Sequence, residues 1–322
     1  MRIVVALGGN ALLQRGDKPD ARIQRHHIEA AAQALSPLAR EHDLLICHGN
    51  GPQVGLLALE SESDPALTRP YPLDDLVAQT QGMIGYWLAQ SMRNAGVDKP
   101  ILSLVTQTLV DATDPAFASP TKFVGAGYSA ERAHVLAARY GWRIALDGAR
   151  WRRVVPSPDA RRVIEQGSIT RLLEAKTVVI CAGGGGAPVV QDSGGQLSGV
   201  EAVVDKDDVA ALLAITVHAD RLLILTDVAA LMKDFGTPEA VELRRIDLHE
   251  LTRMHFPAGS MGPKVQACSR FVLATGEPAT IGSLVDATAL LAGEAGTTIT
   301  RPAAASTPES ARLAGLLANS PG

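Results

Sequence analysis

Short, mainly apolar runs recur along this chain and alternate with longer stretches of helical periodicity. The runs are residues 3–7 (IVVAL), 44–47 (LLIC), 101–105 (ILSLV), 177–181 (TVVIC) and 222–226 (LLILT). Runs without polar alternation are typical of strands covered on both faces, as in a parallel sheet between two helical layers. Helical stretches such as DDLVAQTQGMIGYWLAQSMRNAG and DKDDVAALLAITVHA separate them. The alternation predicts an α/β fold with a mostly parallel, doubly wound sheet.

The bulk composition excludes several classes of protein. A chain of 322 residues, 46% of them apolar, can bury a substantial core in one large or two medium domains. Its net charge of -4 provides no general field for nucleic acid or an anionic membrane, so we predict neither as a partner. The N-terminus is unlike a signal peptide, and no apolar run approaches the roughly 18 residues that span a bilayer. We therefore expect a cytoplasmic protein.

The cysteines and histidines give no sign of a metal site. Cys47, Cys181 and Cys268 are far apart and form no CxxC pair, which argues against a disulfide framework or a structural zinc site. We expect them to be small buried side chains. No HExxH motif occurs, and His48, which precedes a glycine turn, is interpreted as structural. No protein metal ligand is therefore predicted.

The middle and the end of the chain depart from the strand–helix alternation. Residues 107–165 are rich in Pro, Gly and Arg, and we interpret them as an insertion that projects from the sheet. The last 21 residues are rich in Ala, Ser and Pro, which predicts a loosely held tail over 302–322.

Three of the predicted strands run directly into glycine-rich turns. These turns are residues 8–11 (GGNA), 48–55 (HGNGPQVG) and 183–186 (GGGG). At the carboxyl ends of parallel strands they would converge on one crevice, where bare backbone N–H groups can approach the oxygens of a phosphate. Neither GxxxxGK[ST] nor GxGxxG occurs, so the chain carries no P-loop and no dinucleotide-binding fingerprint.

Two lysines stand at predicted helix starts, where the helix dipole disfavours a positive charge. Lys264 follows Pro263 into the first turn, a position that a shared bound anion would explain. Lys206 lies within VVDKDD, and either an anion site or a solvated helix cap with local ion pairs fits that pattern. From spacing alone Lys122 reads as a surface lysine. Asp227 follows a strand and could serve a nucleotide or cap a turn.

Eight segments occur in an order that resembles the carbamate kinases, a family of the amino acid kinase superfamily. They are ALGGNAL, HGNGPQVG, SPTKFVG, RRVVPSPD, AGGGGAPV, SGVEAVVDKD, LLILTDV and AGSMGPKVQA, and they span residue 3 to about residue 300. The resemblance implies a three-layer αβα sandwich forming a single domain over 1–301. Within it, a substrate lobe over about 1–175 would include a protruding subdomain at about 110–165, followed by a nucleotide lobe over about 176–301.

The activity that this resemblance implies is reversible phosphoryl transfer between ATP and carbamate. The products are ADP and carbamoyl phosphate, Mg²⁺ is the cofactor, and the enzyme is a homodimer. In this family the reaction often runs toward ATP at the end of arginine degradation. The alternative of supplying carbamoyl phosphate for biosynthesis stays open.

The resemblance also assigns roles to individual residues. The catalytic residues would be Lys122, Lys206, Asp207 and Lys264. Carbamate and the transferring phosphoryl group would be bound by Gly8, Gly9, Asn10, Gly49, Asn50 and Gly51. The nucleotide would be bound by Gly183, Gly184, Asp227, Lys206 and Lys264. Two departures stand out, namely GAGYS in the subdomain and Asp208 after DKD. The first bears on the packing of the subdomain, and the second on adenine-side contacts or the helix cap.

Two rival functions remain compatible with the same motifs. One is a kinase of another acid oxygen on the same fold, such as an acetylglutamate, aspartate or uridylate kinase. The other is a nucleotide or oxyanion binding protein without turnover, against which the joint presence of Lys206, Asp207 and Lys264 argues.

Overall fold

Strands and helices alternate through the computed structural model, which describes residues 1–9, 12–13, 16–256 and 261–302. The strands are β1 (Arg2–Leu7), β2 (Asp43–His48), β3 (Ile101–Ser103), β4 (Gln107–Leu109), β5 (Lys122–Tyr128), β6 (Arg143–Asp147), β7 (Arg150–Val155), β8 (Arg162–Val163), β9 (Val178–Ile180), β10 (Ala187–Gln191), β11 (Leu197–Gly199), β12 (Arg221–Thr226), β13 (Leu231–Lys233), β14 (Val241–Leu243), β15 (Arg245–Asp247), β16 (Ala279–Ser283) and β17 (Thr297–Thr300). The helices are α1 (Ala21–Glu41), α2 (Gly51–Ser63), α3 (Leu73–Asn94), α4 (Ala130–Tyr140), α5 (Gln166–Glu174), α6 (Lys206–Thr216), α7 (Leu248–Leu251), α8 (Met261–Thr275) and α9 (Ala287–Ala292). The predicted substrate residue Asn10, and all but the first residue of the predicted tail, lie outside the described residues.

The central sheet has eight strands in the order β15-β17-β16-β12-β1-β2-β9-β3. Every neighbouring pair is parallel except β16 and β17. All five apolar runs of the sequence form strands of this sheet, as β1, β2, β3, β9 and β12. The predicted α/β class with a mostly parallel sheet is confirmed.

Successive side chains of β1 enter two different cores, because neighbouring residues of a strand point to opposite faces. Val4 and Ala6 belong to the core that contains side chains of α5, α6 and α8. Ile3, Val5 and Leu7 belong to the core that contains side chains of α1, α3 and α9. Burial of each large apolar side chain contributes about 2 kcal/mol to stability. The arrangement is the expected three-layer αβα sandwich.

Three smaller sheets lie outside the central one. β11, β10, β4 and β8 form a four-stranded sheet, and β13 pairs with β14 as an antiparallel hairpin. β5, β7 and β6 form an antiparallel three-stranded sheet, which α4 accompanies in sequence. We refer to residues 122–155, which contain this sheet and α4, as the subdomain. It meets the central layers at α2, where Gly55 approaches Gly125.

All three cysteines are buried free thiols, as the sequence predicts. Cys47 and Cys181 follow the last register pair between β2 and β9, and a hydrogen bond with Cys47, together with burial, raises the pKa of the Cys181 thiol. No helix within the described ranges is long and apolar enough to cross a membrane.

Candidate active site

The first two glycine turns lie side by side at the carboxyl edge of the central sheet. The backbone N–H of Gly8 donates to the carbonyl of Leu225, and that of Gly49 donates to the carbonyl of Leu7, each at 2.9 Å. A Cβ on Gly49 would stand 2.7 Å from the backbone nitrogen of Gly9. The two turns are therefore so close that a side chain at Gly49 would force them apart.

The four glycines 183–186 are buried against protein atoms of the same edge. A Cβ at Gly183 would collide with the His48 ring, and one at Gly184 would collide with the Asn50 amide. Gly184 also has a φ of +65°, in the left-handed region that favours glycine. The missing side chains thus allow the third turn to fit directly against the second.

A network of buried polar side chains holds this third turn in place. The Gln81 amide bridges to Thr106, accepting from its backbone N–H at 3.0 Å and donating to its carbonyl at 3.1 Å. The Thr106 hydroxyl accepts from the backbone N–H of Ala182 at 3.0 Å, and the Thr108 hydroxyl donates to the carbonyl of Gly185 at 2.6 Å. Fully satisfied buried networks of this kind fix one conformation.

The N-terminus of α2 opens toward the crevice without a side-chain cap. Asn50 occupies the capping position, but its amide donates to the Thr80 hydroxyl at 2.8 Å instead of accepting from the helix. Gly51 is exposed and has open space where a side chain would stand, and Pro52 has no N–H group. The first turn of α2 can therefore direct its N–H groups and its positive dipole end at an anion.

One buried carboxylate gathers two of the predicted catalytic lysines. Asp207 binds Lys206 through Oδ1 and accepts from Lys264 Nζ at 2.9 Å through Oδ2. The Asp207 side chain is only 4% exposed, against 12% for Lys206 and 15% for Lys264. Two positive charges therefore share one negative charge in a largely desolvated setting, which leaves a net attraction for an incoming anion.

The pKa values of Asp207 and Lys264 favour the charged form of each group. Burial alone would raise the pKa of the Asp207 carboxyl, but the charges of Lys206 and Lys264 outweigh it and hold that pKa below its usual value. Burial alone would lower the pKa of the Lys264 ammonium, but Asp207 outweighs it and raises that pKa above its ordinary value. Both groups are therefore charged at neutral pH.

Lys122 reaches the same cluster from the subdomain. Its Nζ lies 3.3 Å from Oδ2 of Asp205, and its side chain is 43% exposed. Oδ1 of Asp205 accepts from the backbone N–H of Asp207 at 2.9 Å, which makes Asp205 the N-cap of α6. A lysine that its spacing alone indicates as a surface residue thus pairs with the residue directly before Lys206.

His48 is buried between the second and third turns and is uncharged at neutral pH. Burial is the main cause that lowers its pKa to about 4, and the charge of Lys206 lowers it further, against a hydrogen bond to the Gly49 carbonyl. The distance from Nδ1 to that carbonyl oxygen is 2.9 Å, so the neutral ring carries its proton on Nδ1 and donates there. The structural role that the sequence suggests for His48 agrees with this environment.

Asp227 and Asp208 occupy more open positions. Asp227 directly follows β12, is exposed, and accepts from the Thr226 hydroxyl at 3.1 Å. Asp208 pairs with Arg270 of α8 and accepts from the backbone N–H of Ala160 at 3.3 Å. Burial raises the pKa of Asp208, partly offset by Arg270. Asp208, a departure from the family pattern, thus ties α6 to α8 at the end of α6 that carries the paired lysine.

The structure brings most of the predicted site residues to one edge of the sheet. Lys122, Lys206 and Lys264 come from three separate elements and meet Asp205 or Asp207. Sequence reasoning did not single out the buried polar side chains that support the turns, namely Thr80, Gln81, Thr106 and Thr108. The TQT triplet at 106–108, directly after an apolar strand, was the available signal.

Comparison with known proteins gives one consistent family. Residues 1–283 match the model of the amino acid kinase family. A carbamate kinase of Rhizobium meliloti is 48% identical over 93% of this chain and 93% of its own length. A carbamate kinase of Escherichia coli K12 is 48% identical over 92% of this chain and 98% of its own length. The structure of a Giardia lamblia carbamate kinase bound to AMP-PNP has a TM-score of 0.87 at 39% identity, covering 94% of this chain and 98% of that one.

Proposed function

The chain belongs to the amino acid kinase family, and within it to the carbamate kinases, and from that premise we propose that it transfers a phosphoryl group reversibly between ATP and carbamate. The observation that carries the proposal is the shared carboxylate of Asp207, which holds Lys206 and Lys264 from two helices together. A phosphotransferase needs this kind of preorganised positive charge where charge develops during transfer.

Repulsion between two anions is the main barrier that the site has to lower. Carbamate already carries a nucleophilic anionic oxygen, so no side chain has to remove a proton from it. Two unit charges about 4 Å apart repel by about 4 kcal/mol at an effective dielectric constant near 20. Lys206 and Lys264 offset this repulsion, and being compact charges on flexible stems they can follow the phosphoryl group as it moves.

The substrate side of the proposal rests on the first two turns. Gly8, Gly9, Gly49 and Gly51 present backbone without side chains, and the uncapped start of α2 directs its N–H groups at carbamate and the transferring group. Asn50 supports this surface through its bond to Thr80. Asn10, which the family resemblance assigns to the same role, lies outside the described residues.

Lys122 supplies the third positive charge in this proposal. It stands on the subdomain strand β5, beside Asp205, and its side chain is 43% exposed, so it has freedom to turn toward carbamate.

We propose that residues up to about 175 hold carbamate and that residues 176–301 hold the nucleotide.

The nucleotide side comprises the third turn and the end of β12. Gly183 and Gly184 shape the floor of the crevice, Lys206 and Lys264 meet the phosphates, and Asp227 lies at the exposed rim. The binding of AMP-PNP to the Giardia lamblia structure supports an ATP site in this fold. ATP and ADP are therefore the proposed nucleotide substrates.

Mg²⁺ fits this site as a partner of the phosphates. Within the described ranges no three His, Cys, Asp or Glu side chains cluster as ligands, and Asp207 is engaged by two lysines. Magnesium commonly binds nucleotide phosphates with few protein ligands, so phosphate oxygens would supply most of its coordination. When bound, it would neutralise phosphate charge.

The cellular setting completes the proposal. We assign the reaction to the cytoplasm, where the three free buried thiols would stay reduced. Synthesis of ATP at the end of arginine degradation is the proposed direction, and supply of carbamoyl phosphate is the alternative.

A homodimer is proposed through the outer edge of β3. This strand ends the central sheet, its residue Leu102 is 45% exposed, and Val105 just after it is 54% exposed. Tyr86 on the neighbouring α3 is also exposed. An unpaired edge strand with apolar neighbours is a natural surface for a second copy.

The deciding experiment is an assay of the purified protein with ADP, carbamoyl phosphate and Mg²⁺, with ATP formation followed through a coupled enzyme. We expect ATP to form, and acetylglutamate, aspartate and UMP to be inert in the forward direction with ATP. Turnover of one of those acids in place of carbamate would favour the rival kinase. Nucleotide binding without any turnover would favour the binding protein.

A further inference from the structure

Two ion pairs connect the subdomain to one short segment of the main body. Lys122 on β5 meets Asp205 at 3.3 Å, and Arg153 on β7 meets Glu201 at 2.5 Å. Between them the backbone N–H of Val203 donates to the carbonyl of Pro156 at 3.0 Å. The segment 201–205 runs directly into α6, so the subdomain is attached where the proposed catalytic lysine of α6 begins.

The register of the subdomain sheet relates the two pairs to each other. Arg153 lies opposite Val124, and Val155 lies opposite Lys122, in the antiparallel pairing of β5 with β7. Arg153 is thus two residues along β7 from the partner of Lys122, which makes it the diagonal neighbour of Lys122 on the same face of the sheet. Because the paired strands move together, fixing Arg153 also limits where the base of Lys122 can stand.

Arg153 is better suited to fix a position than Lys122 is. Its guanidinium stacks over the Trp142 ring at 4.8 Å, and its side chain is only 13% exposed. A planar, stacked guanidinium loses less freedom on pairing than a flexible ammonium does. Within the described ranges Lys122, on a flexible four-carbon stem, pairs with Asp205 and lies over no aromatic ring.

Apolar side chains also pack at this joint, because Val155 of β7 shares a small core with Leu73 of α3, and Val203 packs against that core. An open pocket of about 320 Å³ lies beside the joint, with Phe117, Trp142 and Pro156 among its lining together with Arg153 and Glu201. Two further attachments of the subdomain, Arg132 with Glu62 and the approach of Gly125 to Gly55, are made to α2. The Arg153–Glu201 pair is the ion pair that joins β7 to the segment 201–205, and it lies beside this apolar contact.

We propose that Arg153 and Glu201 are positioning residues that set where Lys122 stands over the substrate. The pair touches no reacting atom and acts through the strand that carries Lys122. The inference rests on the proposed phosphoryl transfer and extends it to two residues outside the site.

The test is a double-mutant cycle with Glu201→Gln, Lys122→Ala and the double variant in the ATP-forming assay. We expect Glu201→Gln to lower kcat/KM for carbamoyl phosphate by about fivefold, the upper range for a partly exposed ion pair, with KM for ADP changed by less than twofold. In the Lys122→Ala background the same substitution should have no further effect on kcat/KM, because the side chain that Glu201 helps to position is absent. Glu201→Asp should keep most of the activity.

The matched control is Asp147→Asn, which removes an ion pair to Arg152 made wholly within the subdomain, at 2.7 Å. It should leave the kinetics of the enzyme unchanged. The inference would be overturned if Glu201→Gln lowered kcat/KM in the Lys122→Ala background as much as it does in the wild type, or if the single variant lost no activity. Neither result would bear on the proposed function. A wild-type protein without activity would instead overturn the proposed function, and the inference with it.

Discussion

Lys264 of α8 donates to Asp207 of α6 over 2.9 Å, although the two residues are 57 positions apart in the chain. Asp207 also binds Lys206, its neighbour in sequence. One carboxylate thereby fixes the separation of two positive charges before any substrate arrives, and preorganised charge of this kind is what phosphoryl transfer requires.

Loss of Lys264 should affect turnover far more than folding. We expect Lys264→Ala to lower kcat by about 100-fold or more, by analogy with removal of one preorganised charge donor. Steady-state assays and thermal unfolding provide the measurement. Lys176→Ala serves as the control, because that lysine pairs with Asp43 away from the site, and it should keep normal turnover. Near-normal turnover of Lys264→Ala would contradict the assigned role.

Replacement of Asp207 should cost stability as well as activity. Asp207→Asn leaves two neighbouring ammonium groups without their shared counter-charge, so we expect a loss of about 3 kcal/mol in unfolding free energy. The pKa of the Asp207 carboxyl is lower in the folded protein than in the unfolded chain. The contribution of Asp207 to the free energy of unfolding is therefore present above its unfolded-state pKa, and it is lost as the pH falls through its folded-state pKa. Urea unfolding at pH 7 measures the loss. A variant as stable as the wild type would show that the lysines need no such partner.

Substitution of Gly184 tests the fit between the second and third turns. A Cβ there would collide with Asn50, and the φ of +65° adds about 1 kcal/mol of strain for a residue other than glycine. We expect Gly184→Ala to lose about 2 kcal/mol in total, and Gly184→Val to abolish ADP binding measured by titration calorimetry. Gly167→Ala is the control, because that glycine has open space around it in α5, and it should change stability by less than about 1 kcal/mol. Unchanged ADP affinity in Gly184→Val would refute the assignment.

The buried neutral His48 predicts a pH dependence of stability. Its pKa is about 4 when folded and 6.5 when unfolded, so between these values the unfolded chain binds more protons. The stabilising contribution is fully present above pH 6.5 and is lost as the pH falls toward 4, by about 3 kcal/mol. Urea unfolding between pH 4 and 7 should show this slope, and His48→Gln should reduce it. An identical slope in both proteins would mean that His48 titrates normally.

The exposed edge of β3 predicts how copies of the chain associate. Leu102→Lys should convert the proposed dimer to a monomer in analytical ultracentrifugation, because a charge on the edge opposes pairing of two strands. Val285→Lys changes an apolar residue that is even more exposed but lies far along the sheet order, after β16, and should leave the dimer intact. A Leu102→Lys protein that still sediments as a dimer would place the interface elsewhere.

Much of the central sheet could be predicted because strands buried on both faces leave a distinctive apolar run. The strands at the opposite edge of the sheet, β15 to β17, were not predicted, because they lack such an apolar run. β16 (Ala279–Ser283) contains threonine and glycine, three of the four residues of β17 (Thr297–Thr300) are threonine, and β15 is only three residues long, so no apolar run marks them. A buried strand is therefore predictable where its residues are apolar, and is missed where threonine and glycine fill it, as in β16.

The sequence predicted the charged residues and the glycine turns of the site, but it predicted few of the contacts between them. Lys264 was identified because a lysine at a helix start is unfavourable without an anion. Lys122 carried no such signal and was assigned only through the resemblance of SPTKFVG, since its partner Asp205 is 83 positions away and only the folded chain brings them together. For the four glycines, the sequence indicated a need for bare backbone, but the collisions with His48 and Asn50 depend on tertiary packing.

The acidic run around Lys206 reads in the sequence as a cluster of interchangeable charges. In the fold, Asp205 caps α6 and meets Lys122, Asp207 holds Lys206 and Lys264, and Asp208 binds Arg270. No member of the run can take over the task of another, because each faces a different direction. Natural variants that keep the total acidity of this tract but move a carboxylate by one position should therefore be read as loss-of-function changes, and a laboratory redesign of the tract has to satisfy three separate demands at once.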